Sequence, residues 1–425
     1  MSIQGIKLKA IADAIREKDG TTEPIVANDF PERIRAIQTG GILPENVRSI
    51  SLTAEPANGG TVSGGGVASD GMTVTVNAEP DEENNFLFDG WKEGGAVVNA
   101  EPLYTFVVSA DRNLVAAFVE SQYVAGVDWW GTTMPSSVAW KSVAYGNGIF
   151  VAVSIYITTA MSNVAAYSED GITWETATLP MKAYWQSVTY GNGKFVAISA
   201  SGVAAYSDDG STWTRVSLPA TNNWQSVTYG NGKFVAVGGS GTIQRAAYSE
   251  DGIKWTASSL PSNAFWQAVA YGNGKFVALT NGSNKAAYSA DGITWTAAIL
   301  PSATYWQSVA YGNGKFVAVA NNNVDKAAYS EDGITWTAAT LPSSGYWGSV
   351  AYGDGKFVAV SGSNSMNTNK FAYSTDGVVW TESVLPLSAA WQAVAYGNGK
   401  FVAVAGRYSA NSNLAAYSSA KGPGK

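Results

Sequence analysis

Between Trp140 and the C-terminus, apolar and polar positions follow one phrase that recurs seven times. A clean copy is Trp306-Gln-Ser-Val-Ala-Tyr-Gly-Asn-Gly-Lys-Phe-Val-Ala-Val319, and six copies continue into Ala-Ala-Tyr-Ser-Glu-Asp-Gly-Ile-Thr-Trp336 or a near variant. The leading tryptophans are Trp140, Trp185, Trp224, Trp266, Trp306, Trp347 and Trp391, so the period runs from 39 to 45 residues. Each period holds four short strand-like segments separated by glycine-rich turns. A repeat of this length and content predicts β-sheets arranged radially. Positions shared by all copies hold the unit together; positions that differ are available for recognition.

In the fifth copy the predicted strands are Trp306–Tyr311, Lys315–Ala320, Lys326–Ser330 and Thr335–Thr340. Gly-Asn-Gly joins the first two, because Asn and Gly tolerate the positive φ of a tight hairpin turn. Ser330-Glu-Asp-Gly-Ile-Thr-Trp336 joins the last two and resembles the Asp-box of sialidase-like β-propellers. The same box carries Asp170, Asp209, Asp251, Asp291 and Asp376 beside Asp332, with Lys254 and Val379 in place of the usual threonine. Its chemistry reads as structural: the carboxylate accepts backbone N–H bonds, the glycine turns left-handed and the tryptophan packs into the blade. The seventh copy stops at Ser418 without a fourth strand, while Gly126–Pro135 aligns with Gly333–Pro342. The expectation is a mainly β fold, a seven-bladed β-propeller over residues 121–425. Strand exchange between residues 126–134 and 391–418 would close the ring and remove its open edges.

Two other patterns precede the repeats. Ile3, Ile6, Leu8, Ile11 and Ile15, then Phe30, Ile34 and Ile37 after the capping residues Asn28 and Asp29, predict two short helices in residues 1–41. Helices this small do not bury a core alone; they dock on a partner or cap the next domain. Leu8–Thr21 with Asn28–Ile37 resembles an N-terminal module of tail proteins from phages of Gram-positive hosts. That resemblance implies attachment to other phage tail proteins through residues 1–41 and assembly in the host cytoplasm, consistent with the absence of a secretory signal pattern.

Over residues 45–120, alternation predicts strands at Val47–Thr53, Met72–Ala78, Phe86–Trp91, Tyr104–Val108 and Asn113–Phe118. Paired glycines at 59–60, 64–66 and 94–95 supply turns, and the acidic stretch Glu79–Glu83 reads as a solvated turn. The order Thr53-Ala-Glu-Pro, Gly59-Gly-Thr-Val, Phe88-Asp-Gly-Trp91 and Leu114-Val-Ala-Ala-Phe118 resembles the internalin-type B repeat, which implies a spacer.

Composition narrows the chemistry. The chain has no histidine and no cysteine, which removes imidazole and thiolate metal sites, disulfides and Ser/His or Cys/His catalysis. No cofactor is expected, and no apolar run reaches membrane-spanning length. The net charge of −7 divides unevenly: residues 1–120 hold 9 basic and 18 acidic residues, and residues 121–425 hold 17 and 15.

The copies differ mainly in the loops between second and third strands and between units, which share the face away from the boxes. Before the leading tryptophan stand Tyr184, Asn223, Phe265, Tyr305 and Tyr346 in copies two to six; Arg245, Lys285, Lys326 and Lys370 open the third strands of copies three to six. With Lys182 and Arg407, the variable loops hold six cations against one acid, Asp325. Aromatic rings stack on sugars and cations pair with phosphate or carboxylate. The arc therefore suits an anionic host cell-surface polysaccharide or teichoic acid. The bland alternative is rings packed over loops and lysines solvated at strand ends.

Sialidase chemistry needs a convergent arginine triad. The propeller region has only Arg215, Arg245 and Arg407, and the paired carboxylates of glycoside hydrolysis are missing from the variable face. The expected function is a non-catalytic phage tail receptor-binding protein. The alternatives are a structural virion protein whose propeller binds another virion component and a carbohydrate-active enzyme. A short cationic arc in an acidic protein argues against nucleic acid.

Overall fold

The computed structural model describes residues 47–81, 86–120, 123–157, 160–221, 223–240, 243–362, 367–406 and 412–420. The two helices expected in residues 1–41 lie outside these, as does Arg407. The chain divides into two compact units, residues 1–120 and 121–425. Among the described residues all regular structure is strand.

The first unit pairs a five-stranded sheet with a three-stranded one. In the larger sheet, Val47–Glu55 and Arg112–Glu120 run parallel at the centre, with Ile50 opposite Arg112. All five predicted strands are present. Three short ones, Gly60–Ser63, Gly66–Ser69 and Ala96–Asn99, fall where glycine pairs read as turns. Glycine weakens a strand without forbidding it when a neighbouring ladder supplies the bonds. Trp91 is fully buried among Val76, Leu114, Ala116 and Phe118, and its indole N–H donates to Pro102 O at 2.9 Å. Arg112 clamps Glu93 at 2.6 Å and lies 4.4 Å over the Phe106 ring.

In the second unit each repeat folds as an antiparallel meander. In the fifth, Thr296–Gly312 pairs with Lys315–Asn321, then Val324–Ser330, then Thr337–Gly345. Phe316 to Ala320 are buried on both faces, so the second strand is the core of the unit. The leading tryptophans are 0–1% exposed. The Gly-Asn-Gly hairpins place both central residues at positive φ, as in Asn313 (45°) and Gly314 (76°), a type I′ geometry.

Adjacent repeats are locked by the first glycine of that turn. A methyl group on Gly312 would stand 1.9 Å from Cγ of Tyr352 in the next repeat, and the same contact joins Gly146 to Tyr190, Gly191 to Tyr229, Gly230 to Tyr271, Gly272 to Tyr311 and Gly353 to Tyr396. Gly397 of the last repeat meets Tyr145 of the first in the same way. A second series of bonds runs nearer the axis, where Val188 N donates to Ser142 Oγ at 3.1 Å and Val227, Val269, Val350 and Val394 repeat the contact with Ser187, Ser226, Ser308 and Ser349.

At the chain's far end, strand Ser412–Ser419 pairs with Trp130–Gly146, Tyr417 opposite Trp130 and Leu414 opposite Thr133. Gly126 N donates to Ser418 Oγ at 2.6 Å, as Gly333 N does to Ser330 Oγ at 2.9 Å within one repeat. Trp129 is 8% exposed, like Trp336.

Candidate ligand-binding face

The invariant turns lie together. The Asn192 side-chain amide donates to Glu250 O in the next repeat's Ser-x-Asp-x-Gly turn, and Asn231, Asn273 and Asn313 make the same reach. Within those turns one oxygen of the aspartate gathers the bonds. Asp209 Oδ1 accepts from Ser211 N at 2.9 Å, Thr212 N at 2.8 Å and Ser207 Oγ at 3.0 Å. The Thr212 N–H foremost holds its carboxyl down at about 2. The Lys254 N–H likewise lowers Asp251. Asp170, Asp291, Asp332 and Asp376 each accept two backbone N–H bonds in the same way. With Oδ1 of each so engaged, the six aspartates serve the turn.

The opposite face departs from the expected loops in one respect. Residues 280–284 do not break the ladder: Lys275–Ser289 is one continuous strand, and Thr296–Gly312 runs from the outer strand of one repeat into the first strand of the next. Pairing persists because bulges between Asn281 and Ser283 and between Ser283 and Lys285 absorb the irregularity. This brings Phe265 opposite Asn281, Asn281 opposite Tyr305, and Tyr305 opposite Asn321. Directly paired residues point to one side of a sheet. Two rings, 55% and 47% exposed, thus alternate with two half-buried amides in a row that crosses from the fourth repeat to the fifth. At about 4.8 Å per strand, the rings stand roughly 10 Å apart.

The other candidates have mixed surroundings. Tyr184 packs against Tyr156, ring centroids 5.3 Å apart. Asn223 adopts φ 57°, and its carbonyl accepts from Gly239 N, so it turns the chain. Tyr346 is half-buried, its N–H donating to Ser361 Oγ at 3.2 Å. Lys285 Nζ donates to Asn263 O at 3.1 Å. Lys370 is engaged by Glu382 at 3.7 Å and by Ser343 Oγ at 3.2 Å, an acid that the count of loop charges missed because it lies on an outer strand. Lys326 is exposed with no ion pair among the described residues, and Arg245 Nε is buried without an acceptor. Arg215 lies exposed on the outer strand Thr214–Ser217.

A feature the sequence reading did not single out lies on the axis. In every repeat the residue after the leading tryptophan is skipped by the ladder: Trp185 pairs with Ser199 and Ser187 with Ile198, leaving Gln186 in a bulge. The same bulge holds Lys141, Gln225, Gln267, Gln307, Gly348 and Gln392. These seven residues converge on one cavity of about 120 Å³. A second, of about 200 Å³, opens beside it under Tyr156 and Gly406. The sequence signal was Lys141 standing where five copies have glutamine.

The all-β architecture and its radially arranged repeats define the class as β-propeller-like. Residues 50–122 match the divergent InlB B-repeat domain family. No curated protein matches the chain in sequence. The fold is similar to a catalytically inactive histidine-to-alanine variant of virginiamycin B lyase from Staphylococcus aureus with quinupristin, with 13% identity, TM-score 0.59 and coverage of 68% of this chain and 98% of that one. It is also similar to YCF48 bound to D1 peptide (13% identity, TM-score 0.53, 70% and 97% covered). A third similar structure is the Cps50 (Swd1) β-propeller domain of Myceliophteria thermophila (9%, 0.52, 68% and 99%). At such identities the likeness concerns the fold alone.

Proposed function

We propose that the chain is a non-catalytic phage tail attachment protein whose propeller holds a cell-surface glycan on its variable face. The observation that carries this reading is the row Phe265–Asn281–Tyr305–Asn321, where exposed rings alternate with amides on one side of the sheet. Rings offer flat apolar faces to sugars, and amides donate and accept at the hydroxyls. Exposed Lys326 adds a cation suited to an acidic polymer. In this reading the platform is a ring of seven blades, the outer strand of the last supplied by Trp130–Thr133. Support comes from the pairing of Tyr417 with Trp130, the Gly126–Ser418 bond and the Gly397–Tyr145 contact that returns the series to its start. Residues 50–122 act as a spacer, and residues 1–41 attach to the tail, the latter on the resemblance of Leu8–Ile37 alone.

Absence of catalysis is part of the proposal. The similar lyase is inactive once a histidine becomes alanine, and this chain has no histidine. The test is capture of the full-length chain by host cell walls and, separately, by purified tail proteins, with released sugar measured. Retention by cell-wall polysaccharide without release of sugar is expected. Capture by tail proteins alone would replace the reading with a structural virion role, and sugar release would replace it with an enzyme.

A further inference from the structure

The seven axial bulges are not equivalent, and the odd one is charged. Bulges re-aim side chains and concentrate at functional sites. Here six polar side chains and Gly348 line the axial cavity, whereas residues of a continuous ladder point alternately to the two faces of the sheet. Five are glutamine, Gly348 leaves a gap, and Lys141 contributes the only charge lining either axial cavity. Both cavities share Lys141, Gln186 and Gln392.

The Lys141 side chain makes no hydrogen bond or ion pair with any described residue, and no carboxylate lines either cavity. Its side chain is only partly open to water, and burial lowers the pKa of its ammonium group. An ammonium drawn from water without a counter-charge is unfavourable, and an anion entering beside it relieves the cost. Two amides on its flanks complete a set of donors. The space, well below the roughly 300 Å³ that a whole small molecule requires, fits one charged group.

We propose that the axial cavity is an oxyanion site: it takes a single carboxylate or phosphate group, paired with Lys141 and hydrogen-bonded by the side-chain amides of Gln186 and Gln392. The site stands independently of the glycan row. An acidic polymer on the variable face could place such a group there, but a free anion would also bind.

The test is a titration of full-length protein labelled with ¹⁵N-glutamine, with sodium phosphate in one arm and sodium glucuronate in the other. Sodium chloride at matched ionic strength is the reference, and concentrations extend to about 100 mM, above the millimolar affinity of a few charge-assisted bonds. Saturable shifts of the Gln186 and Gln392 side-chain amides are expected in at least one arm, and the arm identifies the group. Lys141→Gln installs the residue five repeats already carry, so it preserves the bulge; it should abolish the shifts. Lys326→Ala should leave them intact. No saturable shift in either arm, equal shifts in Lys141→Gln, or equal loss in Lys326→Ala overturns the site. A protein that shows the shifts but ignores cell walls retains this site and loses the glycan reading.

Discussion

Trp129 provides the sharpest test of how the repeat array ends. It ends a turn completed from the other end of the repeat array, where Gly126 donates to Ser418, 292 residues further along the chain. Its ring centroid lies 5.6 Å from Phe371 at 61° and 6.4 Å from Phe401, and it is 8% exposed. The indole N–H has no partner, so truncation removes packing and no hydrogen bond. Trp129→Ala should therefore cost about 3–5 kcal/mol, the range for a buried tryptophan. At roughly 2 °C per kcal/mol for a domain this large, melting falls by about 6–10 °C. Trp336→Ala is the yardstick, because Trp336 is equally buried inside a continuous repeat. Calorimetry of the full chain should give the two variants comparable losses in the second unit's transition. If Trp129→Ala melts within about 0.5 kcal/mol of wild type while Trp336→Ala does not, the closure argument fails.

Two further outcomes follow from the turns. Gly312→Ala forces a methyl group against Cγ of Tyr352, so it should destabilise by about 1–3 kcal/mol although its backbone is ordinary, and an unchanged melting temperature would contradict the packing. Asp209, held at about 2 when folded against 3.8 ordinarily, contributes stability that is present above about pH 4 and is lost as pH falls toward 2. Asp209→Asn should melt lower at neutral pH yet lose less between pH 4 and 2; parallel curves for the two proteins would show that the carboxylate is not coupled to folding.

The repeating framework was legible because its causes are local. Gly-Asn-Gly specifies positive φ, and Ser-x-Asp-x-Gly specifies its own hydrogen bonds, so each strand end is written beside the strand. The candidate face was legible only as variability. Phe265 and Tyr305 were identifiable as odd residues before a tryptophan, but Asn281 joins them only through a bulged ladder between two repeats, which no spacing reveals. Lys370 read as a free cation because Glu382 reaches it from another strand. The axial ring was hidden for a related reason. A bulge changes where Gln186 and its counterparts point without altering the sequence period, and only the odd Lys141 marks the place.

The most direct measurement of the glycan reading is an affinity titration of the full chain with the captured cell-wall polysaccharide, wild type against Phe265→Ala/Tyr305→Ala. The two rings retain about half their exposure, 55% and 47%. Covering the remainder is worth about 1 kcal/mol each, from the roughly 1.5–3 kcal/mol of a fully buried large side chain. The account predicts that Kd weakens by about 30-fold, the equivalent of some 2 kcal/mol, while the melting temperature stays at the wild-type value. An unchanged Kd in a double variant that still folds would contradict it.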